Sequence, residues 1–191
     1  MSSFLTPIVV SEEDWLRCSD TNTMFRAMGP ASEERLALFN LLCCRRIREL
    51  ISDEATLQAL DALENAPEHL TVPVGIALNA VRIVTTAPYD PSRNAAAAMA
   101  VAFAVCRSLP ADHLRYCSDA VENARETALN CQWAVGWSAD PATSGEDCED
   151  EGAERELGHS WLRERAEKAE ESAQCELFRQ LFSRRVELAE V

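Results

Sequence analysis

The segment from Leu36 to Ile51, LALFNLLCCRRIRELI, constrains the fold of this chain more than any other. An α-helix of 3.6 residues per turn places its apolar residues on one narrow stripe. That stripe consists of Leu36, Phe39, Cys43, Ile47 and Leu50. Leu38 and Leu41 fall on the opposite side, so the first half of the helix is apolar nearly all round. Because such a helix must be covered by several neighbours, the segment predicts a central helix around which the other elements pack.

Residues that cap or break helices divide the rest of the chain into further helical segments. Ser11, with Asp14 three residues later, has the spacing of a capping box, and Ser32 precedes the central helix. Asp112 is the predicted cap of a longer helix with a heptad-like seam of small residues. The predicted helices cover about residues 11–18, 21–28, 36–51, 53–65, 92–109, 112–135 and 153–183. We therefore predict an all-α fold, a compact single-domain bundle of about six or seven helices over residues 1–191.

Two segments have patterns of their own. Residues 72–86, VPVGIALNAVRIVTT, have the β-branched content of a strand, but the spacing of Ile76, Ile83 and Val84 fits a helix better. Residues 138–152, SADPATSGEDCEDEG, combine proline, glycine and clustered carboxylates. This composition is typical of a mobile acidic loop.

A net charge of −14 limits the partners of this chain. An acidic protein repels phosphate backbones and anionic membrane surfaces, so we predict no nucleic-acid partner and no membrane partner. The longest apolar run, Ala95–Cys106, is shorter than the ~20 residues needed to span a bilayer. The partner that remains is an unidentified protein or a second copy of the chain.

The eight cysteines include no C-x-x-C pair. The opening sequence, MSSFLTPIVV, lacks the basic start and the small-residue cleavage site of a signal peptide. Both features favour a reducing cytoplasm, in which buried cysteines act as small hydrophobic residues. We therefore predict a cytoplasmic protein whose cysteines serve packing.

Three segments resemble those of a known family. They are W-L-R-C-S-D-x-x-x-M-F from Trp15 to Phe25, L-x-L-F-N-L-L-C-C-R-R-I-R-E-L from Leu36 to Leu50, and Q-C-E-L-F-R-Q-L-F from Gln174 to Phe182. With these segments the chain resembles an uncharacterised family of planctomycete-type bacteria that shows W-L-x-C-x-D and C-C-R-R-I motifs. The family has no assigned activity, so the resemblance implies a helical cytosolic protein and supplies no catalytic residue.

Two residue pairs have the spacing of metal ligands on a helix. Glu156 and His159 have the i, i+3 spacing of a di-iron ligand pair, but di-iron sites need a second such pair and two further glutamates. His113 and Cys117 share a helix face at a spacing able to hold zinc, but a closed zinc site needs four ligands. Ordinary surface charge is the favoured interpretation of Glu156 and His159, and we predict neither a metal nor a cofactor.

The adjacent Cys43 and Cys44 permit two interpretations. A disulfide between them would be strained, because Cα atoms ~3.8 Å apart lie below the usual disulfide range. Cys43 lies on the core stripe, which favours packing. A reactive thiol would need a cation such as Arg46 and a general base, and no histidine is near in sequence. We predict no catalytic residue here.

Arg46 flanks the core stripe of the central helix. A guanidinium group held away from water needs a carboxylate partner. Asp14 and Asp20 belong to the W-L-x-C-x-D segment. We therefore predict a structural ion pair in which one of these aspartates binds Arg46, beside Arg45, and ties the first helix to the central one.

The last predicted helix ends in a broad apolar face. The face consists of Leu177, Phe178, Leu181 and Phe182. It is either a partner surface or a face that packs against Trp15 or Trp161 of the same chain. Large exposed apolar patches are scarce on proteins, which favours packing within the chain.

Together these patterns favour a non-enzymatic protein-interaction or regulatory module that binds through helical surfaces. The alternative is a metal-binding protein or an enzyme that uses Glu156 and His159 or a site centred on Cys43. A third class is a carrier of a small apolar ligand. Its cavity would be lined by Met99, Phe103 and Trp133.

Overall fold

The computed structural model describes residues 8, 10–28, 31–66, 70–86, 93–110, 119–139 and 154–182. This part of the chain contains eight α-helices, two 3₁₀ turns and no β-strand. The helices are α1 (Glu12–Arg17), α2 (Thr21–Ala27), α3 (Glu33–Arg46), α4 (Glu54–Glu64), α5 (Val74–Thr86), α6 (Arg93–Val105), α7 (Ala120–Ser138) and α8 (Glu154–Phe182). The 3₁₀ turns follow α3 at Arg48–Leu50 and α6 at Cys106–Ser108. The predicted all-α fold is confirmed, with more helices than expected.

The predicted central helix corresponds to α3, which contacts α4, α6, α7 and α8. Phe39 and Cys43 are fully buried, and Leu41 on the opposite side is buried as well. The helix ends at Arg46, earlier than predicted. Ile47 has φ −102° and ψ 9°, and this change of backbone conformation leads into the tighter 3₁₀ turn that follows.

Side-chain caps mark the starts of five helices. The capping oxygens belong to Ser11, Asp20, Ser32, Asp53 and Asp119. Each accepts an N–H bond from the first turn of its helix, which satisfies donors that have no partner within the helix. The predicted starts of α1, α2 and α3 are confirmed. The predicted start of α7 at Asp112 is wrong, because this helix begins at Ala120 and is capped by Asp119. Residues 111–118 lie outside the described part.

The two segments with patterns of their own are partly described. Residues 74–86 form a helix, which packs against both α4 and α6 with Ala77 and Ala80 buried. Helical spacing was therefore the better indicator than β-branched content. α7 continues through Ser138, where the acidic loop was predicted to begin. Residues 140–152 of that predicted loop lie outside the described residues.

The core has an aromatic part and an alanine-rich part. The ring of Phe178 in α8 lies 5.9 Å from Trp15, 4.8 Å from Phe25 and 5.2 Å from Phe39, measured between centroids. Four helices, α1, α2, α3 and α8, therefore meet at one ring. The buried side chains of α6 and α7, two helices in contact, include Ala97, Ala100, Ala104, Ala124 and Ala128. These small residues allow the close approach of α6 and α7 that the seam predicts. Among the described helices, none has the length and hydrophobicity needed to cross a bilayer.

Candidate functional site

Arg46, at the end of α3, forms a bidentate ion pair with Glu170 of α8. Its Nε atom lies 3.0 and 3.1 Å from the two carboxylate oxygens, and its Nη2 atom lies 3.0 Å from Oε2. The Glu170 side chain is 5% exposed, whereas that of Arg46 is 40% exposed. The hydrogen bond to Glu170 raises the pKa of Arg46, so this guanidinium keeps its charge.

The predicted pairing of Arg46 with Asp14 or Asp20 is wrong. Asp14 takes part in the cap of α1, and Asp20 caps α2. Arg45 pairs with Glu64 of α4, with an Nε to Oε1 distance of 3.0 Å. The two aspartates are used locally at helix starts, so the carboxylate that Arg46 requires comes from a residue distant in sequence.

Hydrogen bonds continue from Glu170 across three helices. Nε2 of Gln174 donates to Glu170 at 3.3 Å, and Nε2 of Gln132 donates to Gln174 at 2.8 Å and to Thr21 at 3.3 Å. Thr21 donates to Glu171 through its backbone N–H at 3.2 Å and its hydroxyl at 3.3 Å. Together with Arg46 of α3, these residues form what we call the polar cluster. It joins α2, α3, α7 and α8, and each member has a hydrogen-bond partner within the cluster.

The sequence offers a weak signal for this polar cluster. Glu170 and Gln174 are one helical turn apart and share a face of α8. Charged residues are so frequent along α8 that this spacing does not stand out. The cluster was therefore missed, although the need of Arg46 for a carboxylate was predicted.

The thiols beside the polar cluster are buried and free. Cys43 and Cys44 of α3 and Cys131 of α7 are 0% exposed. Burial raises the pKa of Cys43 and of Cys131 well above the ordinary value, and the nearby Arg46 lowers that of Cys43 only in part. A thiol attacks as its thiolate, so Cys43 and Cys131 are poor nucleophiles at neutral pH. This geometry supports the packing interpretation of Cys43 over a catalytic one.

Cys106 departs from the prediction that the cysteines serve packing alone. It is disulfide-bonded, and it is buried in the 3₁₀ turn after α6. Disulfides are rare in a reducing cytoplasm. The disulfide of Cys106 therefore disagrees with the predicted cytoplasmic location, which stays a prediction. The free cysteines in the described part agree with it; they are Cys18, Cys43, Cys44, Cys131 and Cys175.

The side chains of the candidate metal ligands fall outside the described residues. Glu156 and His159 lie within α8, but the structure describes only their backbone, and His113 and Cys117 lie in 111–118. Within the described part, no group of three or more histidine, cysteine or carboxylate side chains is arranged to hold a metal ion. Metal binding through Glu156 and His159 stays the alternative hypothesis.

The apolar face at the end of α8 is largely covered by the chain itself. Phe178 is 0% and Phe182 is 5% exposed, while Leu177 and Leu181 are half-buried against the core. Trp15 is one of the covering residues, as the packing interpretation predicted. The proposed interface role of the two phenylalanines is therefore wrong, because their rings lie inside the aromatic core.

α7 and α8 run antiparallel, since residues later in α7 contact residues earlier in α8. A Cβ atom at Gly136 would lie 2.4 Å from Cγ of Glu167, so a larger residue there would require the Glu167 side chain to move. Glu167 accepts a hydrogen bond from Nε of Arg163 at 2.7 Å. The Arg163 guanidinium carbon lies 3.7 Å from the ring centre of Trp137. The last turn of α7 therefore contacts α8 in two places, at the close approach of Gly136 to Glu167 and at the cation–π contact of Trp137 with Arg163, while the ion pair of Arg163 with Glu167 lies within α8.

Three large apolar side chains near this contact are exposed. Trp133 is 42%, Trp161 is 56% and Leu162 is 40% exposed, and we call these residues the exposed apolar set. Each lies within four residues of Trp137 or Arg163 along its own helix. Arg165 lies 5.3 Å from the ring centre of Trp161 and leaves much of that ring uncovered. Sequence reasoning missed this set because it assigned tryptophans to the interior.

The predicted cavity for a small apolar ligand does not match the positions of its three residues. Met99 is 38% exposed and Trp133 is 42% exposed. Phe103 is partly exposed as well. Residues that face water cannot enclose an apolar ligand in the core, so the structure contradicts this interpretation.

Comparison with known proteins gives no assignment. The chain matches no protein-family model, no curated protein and no solved structure. Its resemblance to the uncharacterised bacterial family stays a prediction.

Proposed function

We propose that this protein is a non-enzymatic interaction module that binds another protein, or a second copy of itself, through helical surfaces. The exposure of Trp133, Trp161 and Leu162 carries the proposal. Apolar surface left in water costs about 25 cal/mol per Å², and a partner that covers it recovers this free energy. Tryptophan is also enriched among the residues that dominate binding free energies.

The surroundings of the exposed apolar set suit an interface. Arg163 is held by Glu167 and by the ring of Trp137, and Arg165 lies beside Trp161. Arginine and aromatic residues are enriched at protein interfaces. A side chain that is held in place before binding loses less conformational entropy when the complex forms.

The interior of the molecule supports the non-enzymatic part of the proposal. The thiols of Cys43 and Cys131 are buried and protonated at neutral pH. The polar cluster uses its carboxylates and amides for bonds between helices, so these groups are engaged and not directed at a substrate. We propose no cofactor for the buried thiols or for the polar cluster.

A double substitution tests the exposed apolar set. We expect the variant with Trp133→Ser and Trp161→Ser to bind its partner, or itself, at least tenfold more weakly than the unmodified protein. Leu16→Ser is the matched control, because Leu16 is a similarly exposed apolar residue, at 55% exposed. It lies on α1 beside Trp15, which packs on Phe178 at the opposite end of α8 from Trp161.

Two measurements cover the two kinds of partner. Sedimentation velocity over a concentration series reports self-association, and quantitative capture from native lysate reports a protein partner. Loss of binding in the double variant, with binding kept in Leu16→Ser, supports the proposal. Equal binding by all three proteins, or no association by any of them, overturns it.

The competing metal-binding function has a direct test. Elemental analysis of the purified protein should find neither iron nor zinc at stoichiometric amounts. A stoichiometric metal that is lost in a Glu156→Gln, His159→Ala variant would favour the alternative over an interaction module.

A further inference from the structure

Two contacts fix how the α1–α2 segment lies along α8. They are Trp15 to Phe178, with ring centroids 5.9 Å apart, and Thr21 to Glu171, with N to Oε1 at 3.2 Å. Cys18 is midway in sequence between Trp15 and Thr21, and Cys175 lies between Glu171 and Phe178. The segment and the helix therefore run in opposite directions, and this register places Cys18 against Cys175.

A third contact supports the same placement. Arg179, one helical turn after Cys175 on the same face of α8, donates a hydrogen bond to the carbonyl of Cys18 at 2.8 Å. The Cys18 thiol is also near enough to raise the pKa of Cys175. Both thiols are free in this structure.

We propose that Cys18 and Cys175 are a hydroperoxide-sensitive thiol pair, in which Cys18 is oxidised first and a disulfide to Cys175 then fastens the α1–α2 segment to α8. Cys18 is partly exposed, so a small oxidant reaches it. Cys175 is 0% exposed, so it reacts with its neighbour and not with the oxidant. This pair is independent of the exposed apolar set.

The reaction consumes one hydroperoxide and two thiols. The Cys18 sulfur attacks one peroxide oxygen, the O–O bond breaks, and a sulfenic acid and one water form when hydrogen peroxide is the oxidant. The Cys175 sulfur then attacks the sulfenic sulfur, the S–O bond breaks, and the hydroxyl leaves as a second water with the thiol proton of Cys175. The two sulfurs lose two electrons, and the peroxide gains them.

The environment of Cys175 sets the pace of the second step. Burial raises the pKa of Cys175 to about 12, and Cys18, Glu171 and Asp20 act in the same direction. Arg179 acts in the opposite direction. Below this pKa the thiolate fraction grows about tenfold per pH unit, so we expect disulfide closure to be slow at pH 7 and faster at pH 9.

Peptide mapping of the whole chain tests the pair. The protein is treated with hydrogen peroxide, its remaining thiols are alkylated, and it is digested with trypsin without reduction. The tryptic peptides CSDTNTMFR (18–26) and AEESAQCELFR (169–179) contain one cysteine each, so a cross-link between them identifies the bond. We expect this cross-linked peptide as the main oxidised form of Cys18. Oxidation of Cys18 to sulfinic acid without the cross-link, or a bond to another cysteine, overturns the proposal.

Variants separate the two steps. In Cys175→Ser the sulfenic acid of Cys18 should persist and be trapped by dimedone, whereas the unmodified protein should give at least tenfold less adduct. Cys131→Ala, a change at a buried cysteine of α7, should leave the yield of the cross-link unchanged. Equal dimedone labelling of Cys18 in the unmodified protein and in Cys175→Ser would contradict the resolving role of Cys175.

Discussion

At the scale of single residues, Glu170 has the position with the strongest consequence for stability. Its carboxylate is buried, accepts three bonds from Arg46 and accepts a fourth from Gln174. The guanidinium of Arg46 is partly exposed and can be hydrated when its partner is removed. The cost of losing the pair therefore comes mainly from the lost bonds and less from an unpaired buried charge.

We predict that Glu170→Gln lowers the free energy of unfolding by about 1–3 kcal/mol. The carboxylate of Glu170 is charged and binds the guanidinium with two oxygens, whereas the amide of glutamine is neutral and has one oxygen. Solvent partly screens Arg46, so the loss is smaller than for a fully buried pair. Urea denaturation measures the change.

The control for Glu170→Gln is the exposed pair of Lys168 and Glu164. Their side chains are 71% and 60% exposed. Glu164→Gln should leave the unfolding midpoint unchanged within error, because solvent screens exposed pairs. Equal midpoints for the two variants would show that burial of Glu170 has no special role.

At the scale of elements, the contact of α7 with α8 depends on Gly136. Alanine at a helical position is normally about 1 kcal/mol more favourable than glycine. Here its Cβ would overlap the Glu167 side chain along most of its length, at Cγ, Cδ and Oε1, so a shift of the carboxylate end alone does not relieve the overlap. Glu167 would have to change rotamer and give up its bond to Arg163. The steric cost therefore exceeds the gain in helix propensity.

We predict opposite signs for Gly136→Ala in two backgrounds. In the unmodified protein it should lower the free energy of unfolding by about 1 kcal/mol, because Glu167 must move. In a Glu167→Ala background it should raise that free energy by about 0.5–1 kcal/mol, because only the helix propensity remains. A double-mutant cycle by urea denaturation gives both values. The same sign in both backgrounds would contradict the proposed steric role of Glu167.

Local rules predicted the elements better than the contacts between them. The caps of α1 and α3 depend on residues three positions apart, so Ser11 and Ser32 were recognised in the sequence. The partner of Arg46 is 124 positions away, and its identity depends on how α8 lies across α3, which no local pattern specifies. The exposure of Trp133 was missed because an apolar residue indicates burial unless the packing of its helix is known.

At the scale of the whole molecule, most free thiols among the described residues lie in the interior of a strongly acidic chain. Cys43, Cys44, Cys131 and Cys175 are each 0% exposed, while the net charge is −14. The thiols of Cys43, Cys131 and Cys175 are neutral in the folded state, because burial raises the pKa of each. An unfolded chain would expose them to water and allow them to ionise at their ordinary pKa, so folding is linked to pH on the alkaline side.

We predict that the free energy of unfolding falls as the pH rises above about 9. Burial raises the pKa of Cys43 and Cys131 well above the ordinary value of 9.0, and that of Cys175 to about 12. Because the folded-state pKa values are the higher ones, the stability that these neutral thiols confer is complete below about pH 9. It is lost as the pH rises towards the folded-state values, by up to about 1.4 kcal/mol per pH unit for each thiol.

Urea midpoints measured without oxygen at about pH 7.5, 9 and 10 check this dependence. Cys131→Ala removes one of the buried thiols, so its stability should fall less steeply between the two alkaline points than that of the unmodified protein. Glu164→Gln, which leaves all thiols in place, should follow the unmodified profile. Cys131 is buried in α7, which packs against α3, and burial disfavours its thiolate. Parallel profiles for Cys131→Ala and the unmodified protein would contradict the prediction, because they would mean that this thiol has the same pKa in the folded and unfolded states.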